Sequence, residues 1–409
     1  MDKTQIAQLA EALRSELSAT RRDFHMHPEL SGQEQRTAGM VADRLRAYGL
    51  KVSTGVGGHG VIGLLEGKRD GPVVAWRADM DAVPGVEILE APYKSCVPGA
   101  VHICGHDAHT TIGLGIAQVL SSMREQVAGQ VKFIFQPAEE TVMGARAVIA
   151  AGGLDNPRPE AIFALHIAPL QVGRLGSVSG MVLPGMTAFR IVISNEAPPA
   201  LIDTCIQSIH SLNTVGFPAS AEGLTDFLAS MEAGNEALDR FITITCALKQ
   251  NQRVGDRQVI DGFARTATEE LWRQVPGLIH STLEDVLGKA SVAYELAWPE
   301  GMSYPATLNH LGLEAELRPV LDDVVGRENV ARLKNAFPFN SEDFAFYQQQ
   351  IPGVMYWLGA TNLQRGIISV PHMPGFDIDE ACLVTGTQAM ANVLLAYLDR
   401  RQIGAHPAR

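Results

Sequence analysis

The sequence predicts an α/β fold, a mostly parallel sheet covered by helices, with a smaller α+β two-layer domain inserted into it. Three observations carry this reading. Helix-like and strand-like segments alternate in the first part of the chain, several apolar runs stop directly at a carboxylate or an imidazole, and the texture changes from about Thr187 before returning near the end.

The elements follow in order. MDKTQIAQLAEALRSEL reads as an amphipathic helix, and its Asp2, Lys3, Glu11 and Glu16 deny it the apolar core of a signal peptide. QEQRTAGMVADRLRAYGL has apolar positions at helical spacing. VIGLLEG, GPVVAWRAD, QVKFIFQPAEE and AIFALHIAPL are short apolar runs bounded by Gly, Pro or charge, as buried strands are. FRIVIS and RFITITCALKQ instead alternate like half-exposed strands, whereas PALIDTCIQSIHSLNTV and ATEELWRQVPGLIHSTLEDVL are amphipathic helices. SEDFAFYQQQ, GVMYWLGA and DEACLVTGTQAMANVLLAYLDRR then complete the first texture. The expected domains are therefore 1–184 with 299–409, interrupted by 185–298.

Composition narrows the partners. The 409 residues carry a formal charge of -12, so no basic surface is on offer to neutralise phosphates, and neither a nucleic acid nor an anionic membrane is expected as partner. No window was expected to reach the roughly 18 uncharged apolar residues of a membrane span. The five cysteines, Cys96, Cys104, Cys205, Cys246 and Cys382, are scattered without CxxC spacing, which speaks for a reduced, cytoplasmic chain rather than a disulfide framework.

Where the strands end is informative. WRADMD, FIFQPAEE and FALH each pass from an apolar run to a carboxylate or imidazole, and open α/β sheets gather ligands beyond the carboxyl ends of their strands. In VHICGHDAHTT, Cys104 and His106 leave one face of an extended segment, with His102 one step earlier. That spacing suits a metal pair, and equally a loop whose histidines serve nearby carbonyls. Glu139 and Glu140 suit one carboxylate on a cation and one toward its water, and equally a solvated helix start. His166 and His372 each read alike as ligand or as satisfied core histidine.

Taken in order, RADMDAVP, CGHDAHTT, FQPAEE with GA after it, LH followed by a proline and a glycine, SEDFAFY with PG, and PHMPGFDIDE resemble the motifs of the aminoacylase/carboxypeptidase metallopeptidases. The similarity is to the branch of hippurate hydrolases, N-acyl-amino-acid amidohydrolases and plant auxin-conjugate hydrolases; HPELSGQE, APYKS and Glu87 also match that branch. The resemblance implies two divalent metal ions held by Cys104, His106, Glu140, His166 and His372, with Glu139 as general base and Asp81 orienting a ligand imidazole. Mixed N, O and S ligation suits Zn, Mn, Co or Ni. It further implies a small-molecule amide substrate, Arg265 on the substrate carboxylate with Asn309 in its accompanying motif, and an inserted lid domain that also forms a homodimer.

The lid departs from the family. The family's glycine-rich GGH stretch, whose histidine helps hold the tetrahedral intermediate, is replaced by NEAPPALIDTCIQ, and its Asn-Ile-Pro stretch is replaced around GDRQVIDGF. Three readings follow: an amidohydrolase acting on an unusual N-acyl amino acid or related amide, with Arg265, His210 or a group of the substrate as substitute donor; an acyl-transfer or amide-forming enzyme; and a metal-binding relative without catalysis.

Overall fold

The computed structural model describes residues 3–404. The N-terminal stretch forms two helices, α1 (Lys3–Ala12) and α2 (Arg14–Met26), with Met1 and Asp2 outside the described residues. They are followed by α3 (Gln35–Ala47), β1 (Lys51–Val56), β2 (Gly60–Glu66) and β3 (Arg69–Asp79). Next come α4 (His106–Ser122), β4 (Ala128–Gln136), α5 (Gly144–Ala150), β5 (Ala161–Gln171) and β6 (Leu175–Val178). The chain then builds β7 (Met186–Ile193), α6 (Pro199–His210), α7 (Ala221–Ala233), β8 (Ile242–Val254), β9 (Arg257–Thr266), α8 (Glu269–Leu283) and β10 (Tyr294–Ala297). It closes with α9 (Leu311–Val325), β11 (Val330–Leu333), β12 (Gly353–Thr361) and α10 (Ala381–Gly404).

Contacts divide the chain into two compact units. One is Met1–Gly180, Leu308–Arg332 and Phe346–Arg409; the other is Met181–Thr307 with Leu333–Ala345. In the first unit the sheet order is β1-β2-β4-β3-β5-β12-β6-β11. The central strands β4, β3, β5 and β12 run parallel, and β1, β2 and β6 add antiparallel pairs outside them. Trp76, Phe133, Phe163 and Tyr356 from the central strands share one core with Ile112 and Ile116 of α4 and Leu394 and Leu398 of α10. Each such burial stabilises by roughly 1.5–3 kcal/mol. Strand β5 does not stop at His166 as the pattern FALH suggested. It runs on to Gln171, because β12 pairs with Ile167 and Ala168 as well.

The expectation about membrane-length segments needs correction. The stretch Ala381–Gln402 is long and apolar enough to cross a membrane, yet 78% of its window is buried inside the protein. Thr387 and Asn392 are buried along it, and the helix packs on α4, α9 and β3. An apolar helix surrounded by its own protein needs no lipid to cover it.

The second unit is two-layered. Its sheet runs β8-β9-β7-β10, and the inward residues Phe189, Ile191 and Ile193 of β7 meet Ile202, Cys205 and Ile209 of α6 and Val275, Ile279 and Leu283 of α8. The expected limits 185–298 differ from this unit at both ends, and Leu333–Ala345 lies outside them altogether. That segment is tied to α7 and β8: Lys334 N–H donates to Met231 O at 2.9 Å, Asn335 Oδ1 accepts from Asn235 N–H at 2.9 Å, and Thr243 Oγ1 donates to Pro338 O at 2.9 Å. Residues 405–409 of the expected first domain lie outside the described residues.

Candidate metal centre

The site is assembled at the carboxyl ends of the central strands of the first unit. Cys104 precedes α4, whose first residue is His106. Gly105 between them has φ 94°, and a Cβ there would lie 2.9 Å from Ile167, so the CGH step needs a glycine. Glu139 and Glu140 do not begin a long helix. They sit in a single 3-10 turn, Glu139–Thr141, bounded by Ala138 (φ 53°) and Val142 (φ 66°). Gly144 follows because a Cβ there would stand 1.9 Å from Pro137 O.

Ligand atoms of Cys104, His106 and His166 lie within 4.8 Å of one another, and so do those of Cys104, Glu140 and His372. The two groups share the cysteine. The Cys104 Sγ to His166 Nε2 distance is 3.7 Å, and His372 Nε2 lies 3.2 Å from Glu140 Oε1. His106 Nε2 stands 3.9 Å from Glu140 Oε1 and 4.0 Å from Glu139 Oε2. The 3.9 and 4.0 Å separations from His106 Nε2 are too long for hydrogen bonds and suit ligand atoms facing a common centre. All five sequence-predicted ligands are thus brought together, with Glu139 beside them.

Partners further out fix which nitrogen each ring presents. His166 Nδ1 donates to Ile167 O at 2.7 Å, leaving Nε2 toward Cys104. His106 Nδ1 donates to Asp81 O at 2.9 Å, with Asp81 Oδ1 3.3 Å away. Asp81 Oδ2 accepts from Ser31 Oγ at 2.6 Å and from Glu140 N–H at 3.0 Å, so Asp81 fixes the His106 ring and the backbone of Glu140 together. His109 is different. Its Nδ1 donates to Asp79 Oδ1 at 2.6 Å and its Nε2 accepts from Ile167 N–H at 2.8 Å, which leaves no lone pair for a cation.

The charge balance fits a cation. Burial favours loss of a proton from His106, yet Asp79 and then Cys104 outweigh it and raise its pKa well above the usual histidine value. Burial, followed by neighbouring His109, pushes His166 well below that value. Asp81 is held low although burial opposes it, through His106, Ser31 and the Glu140 amide. Buried His106 Nε2 finds no hydrogen-bond partner, a costly state that a metal ion would relieve.

Two expectations change. Asn309 is not placed to serve a substrate: its Nδ2 donates to Val178 O and Met355 O, both at 2.9 Å, and its Oδ1 accepts from Met355 N–H at 2.7 Å. It clips β6 to β12, and neither amide hydrogen is left over. His210 is no substitute donor through Nε2, which accepts from Cys246 N–H at 3.1 Å. Arg265 lies on β9 of the second unit. Its Nε donates to Ser341 Oγ at 3.1 Å, its Nη2 lies 3.4 Å from Met186 Sδ, and burial pushes its pKa down to about 10. Neither of these partners among the described residues is a carboxylate, so the guanidinium has capacity for a ligand's.

Fold and donor set together define a metal-dependent amidohydrolase. The chain belongs to peptidase family M20/M25/M40, whose model matches residues 75–396. It is 32% identical over 389 residues to the IAA-amino acid hydrolase ILR1-like 5 of Arabidopsis thaliana, covering 92% of this chain and 86% of that one. It is 31% identical over 398 residues to the N-acetylcysteine deacetylase of Bacillus subtilis, covering 95% and 98%. The crystal structure of the YXEP protein of Bacillus subtilis, a dinuclear metal binding peptidase from this family, matches with a TM-score of 0.70 at 29% identity, covering 95% of this chain and 99% of that one.

Proposed function

We infer that this protein hydrolyses the amide bond of an N-acyl amino acid or a similar small amide at a two-metal centre. The carrying observation is the pair of donor groups that share Cys104, with Glu139 on the same side. Cys104, His106, Glu140, His166 and His372 would hold the ions, Zn, Mn, Co or Ni by ligand type. When bound, such ions acidify a water and polarise an amide carbonyl. Glu139 takes the water's proton and returns it to the departing amine, which needs a carboxylate that is not itself a ligand. Asp81 holds His106 and Glu140 in place. Arg265 receives the substrate carboxylate.

The net charge of -12 supports a small amide over a nucleic acid as partner, and the closing helix, the one segment of membrane-like composition among the described residues, is mostly buried inside the protein. A homodimer is proposed on the inserted unit, where β8 forms one edge of the sheet. The reduced thiol at Cys104 suits a cytoplasmic setting. The intact base and ligand set favours hydrolysis over acyl transfer or a silent scaffold.

The test is amino-acid release from a panel of N-acyl amino acids after adding zinc, manganese, cobalt or nickel to chelator-stripped protein. Release that depends on one of these metals supports the reading. No release above the metal-only blank with any of them overturns it.

A further inference from the structure

HPELSGQE stands out in the sequence, yet neither the metals nor the base use it directly. In the structure its residues close on the turn that carries Glu139. Glu34 is completely buried. Its Oε1 accepts two backbone N–H groups, from Gly32 at 2.8 Å and from Ala138 at 2.8 Å. Ala138 is the residue immediately before Glu139, and its φ of 53° is a left-handed conformation that a non-glycine residue keeps only when its surroundings impose it.

Ser31, from the same motif, donates to Asp81 Oδ2, the oxygen that also accepts Glu140 N–H. The amides on either side of Glu139 therefore each end on a carboxylate from a distant part of the chain. The turn's own bonds, Val142 N–H to Glu139 O and Gly144 N–H to Ala138 O, both 3.0 Å, close it upon itself without fixing where it points. Glu34 supplies that direction, because its helix-flanking segment is anchored separately: Glu29 accepts from Arg36 and Thr37 N–H, and its carbonyl accepts from Ala82 N–H.

We propose that Glu34 is a positioning residue that aims Glu139 and Glu140 by gripping the Ala138 N–H, and that its reach rather than its charge matters. The proposal rests on the reading of Glu139 as base and Glu140 as ligand. Two variants separate reach from charge. Glu34→Gln keeps an acceptor oxygen at the same distance and loses the charge; Glu34→Asp keeps the charge and falls short by one methylene.

Zinc or manganese affinity is measured by titrating the stripped full-length protein, with kcat and KM on the best substrate of the panel. Glu34→Asp is expected to weaken metal binding roughly tenfold and to lower kcat roughly tenfold or more, with KM changed by less than about threefold. Glu34→Gln should stay within about threefold of wild type in all three. A role in stability alone would shift melting temperature without this ordering. Glu34→Asp at wild-type affinity and kcat, or Glu34→Gln as damaged as Glu34→Asp, overturns the proposal. If Glu34→Asp does not fold, Glu34→Gln decides: retained affinity supports the proposal and lost affinity overturns it. The metal titration needs no turnover, so an inactive wild type would overturn the hydrolase reading while the order of metal affinities still judges Glu34.

Discussion

The two polar sites of this molecule are held in opposite ways. Around the candidate metal centre in the first unit, the clustered donor residues have a second partner: His106 and the Glu140 amide on Asp81, from a distant segment, and His166 on the carbonyl of the next residue, Ile167. Arg265 in the second unit has one hydroxyl, Ser341 Oγ, and a thioether. Rigid support is what proton transfer between fixed atoms requires, because small misplacements reduce rate steeply. Recognition of a carboxylate by a guanidinium tolerates more movement, since the fork keeps its shape wherever it swings. The difference predicts that changes in the first unit act on chemistry and changes around Arg265 act on binding.

The largest effect is expected from Glu139→Gln. The amide keeps the shape but cannot take a proton, so kcat should fall by roughly a hundredfold to ten-thousandfold while metal content stays near wild type. Full turnover by this variant would remove Glu139 as base and, with it, the main contrast between the two sites. Next come Cys104→Ser and His372→Ala. Cys104 belongs to both donor groups and His372 to one, so serine should weaken metal binding more than alanine at 372, each by roughly a hundredfold or more. Equal, wild-type affinities in elemental analysis and titration would mean the ions bind elsewhere.

Arg265→Ala should act more weakly and differently. Losing a charge-assisted pair with the substrate carboxylate raises KM roughly tenfold to a hundredfold and leaves kcat nearly unchanged. Steady-state kinetics on acetyl and benzoyl amino acids checks it. A fall in kcat at constant KM would place Arg265 in the chemistry and erase the contrast.

The sequence carried much of this, for physical reasons that can be named. Strand ends were readable because an apolar run stopping at Asp79 or passing into Glu139 fits the carboxyl end of a buried strand in an α/β sheet. The ligand roles could not be read from spacing: His106 and His109 are both on α4 and both buried, and only tertiary contacts show that one ring has a free nitrogen and the other has none. Helix α7 escaped notice although Leu224, Leu228 and Met231 follow helical spacing and Ser220 caps it by accepting from Gly223 N–H at 3.1 Å. Leu333–Ala345 had no local signal at all, since the side-chain amide of Asn335, bonded to the backbone N–H and carbonyl of Asn235, helps decide which unit it joins. Asn309 matched a motif, and its three backbone bonds show that a motif position can serve the scaffold.

The smallest effect concerns His102, which shares the eleven-residue stretch with the ligands and is not one of them. It is buried, its Nε2 has no hydrogen-bond partner, and burial pushes its pKa down to about 4, with Asp107 opposing. The folded value lies below the unfolded one near 6.5, so the unfolded chain binds more protons in between. His102 therefore contributes stability that is complete above about pH 6.5 and is lost as pH falls toward 4. By linkage the loss at pH 5 is about 2 kcal/mol. His25, whose ring lies 6.4 Å away, pulls the other way. Burial and Arg21 oppose its charge, but Asp107 at 2.7 Å and Glu87 at 2.8 Å raise its pKa, so its contribution is present below pH 6.5 and fades as pH rises through the folded value. The two partly cancel in the wild type, and a substitution is needed to separate them. His102→Gln removes one of the two titrations. In urea unfolding of chelator-treated protein, the variant should lose about 1–2 kcal/mol less than wild type between pH 7 and pH 5. Identical pH slopes would show that His102 reaches solvent or a partner in the folded state, and that the metal-bearing unit is less tightly sealed than the contrast with Arg265 requires.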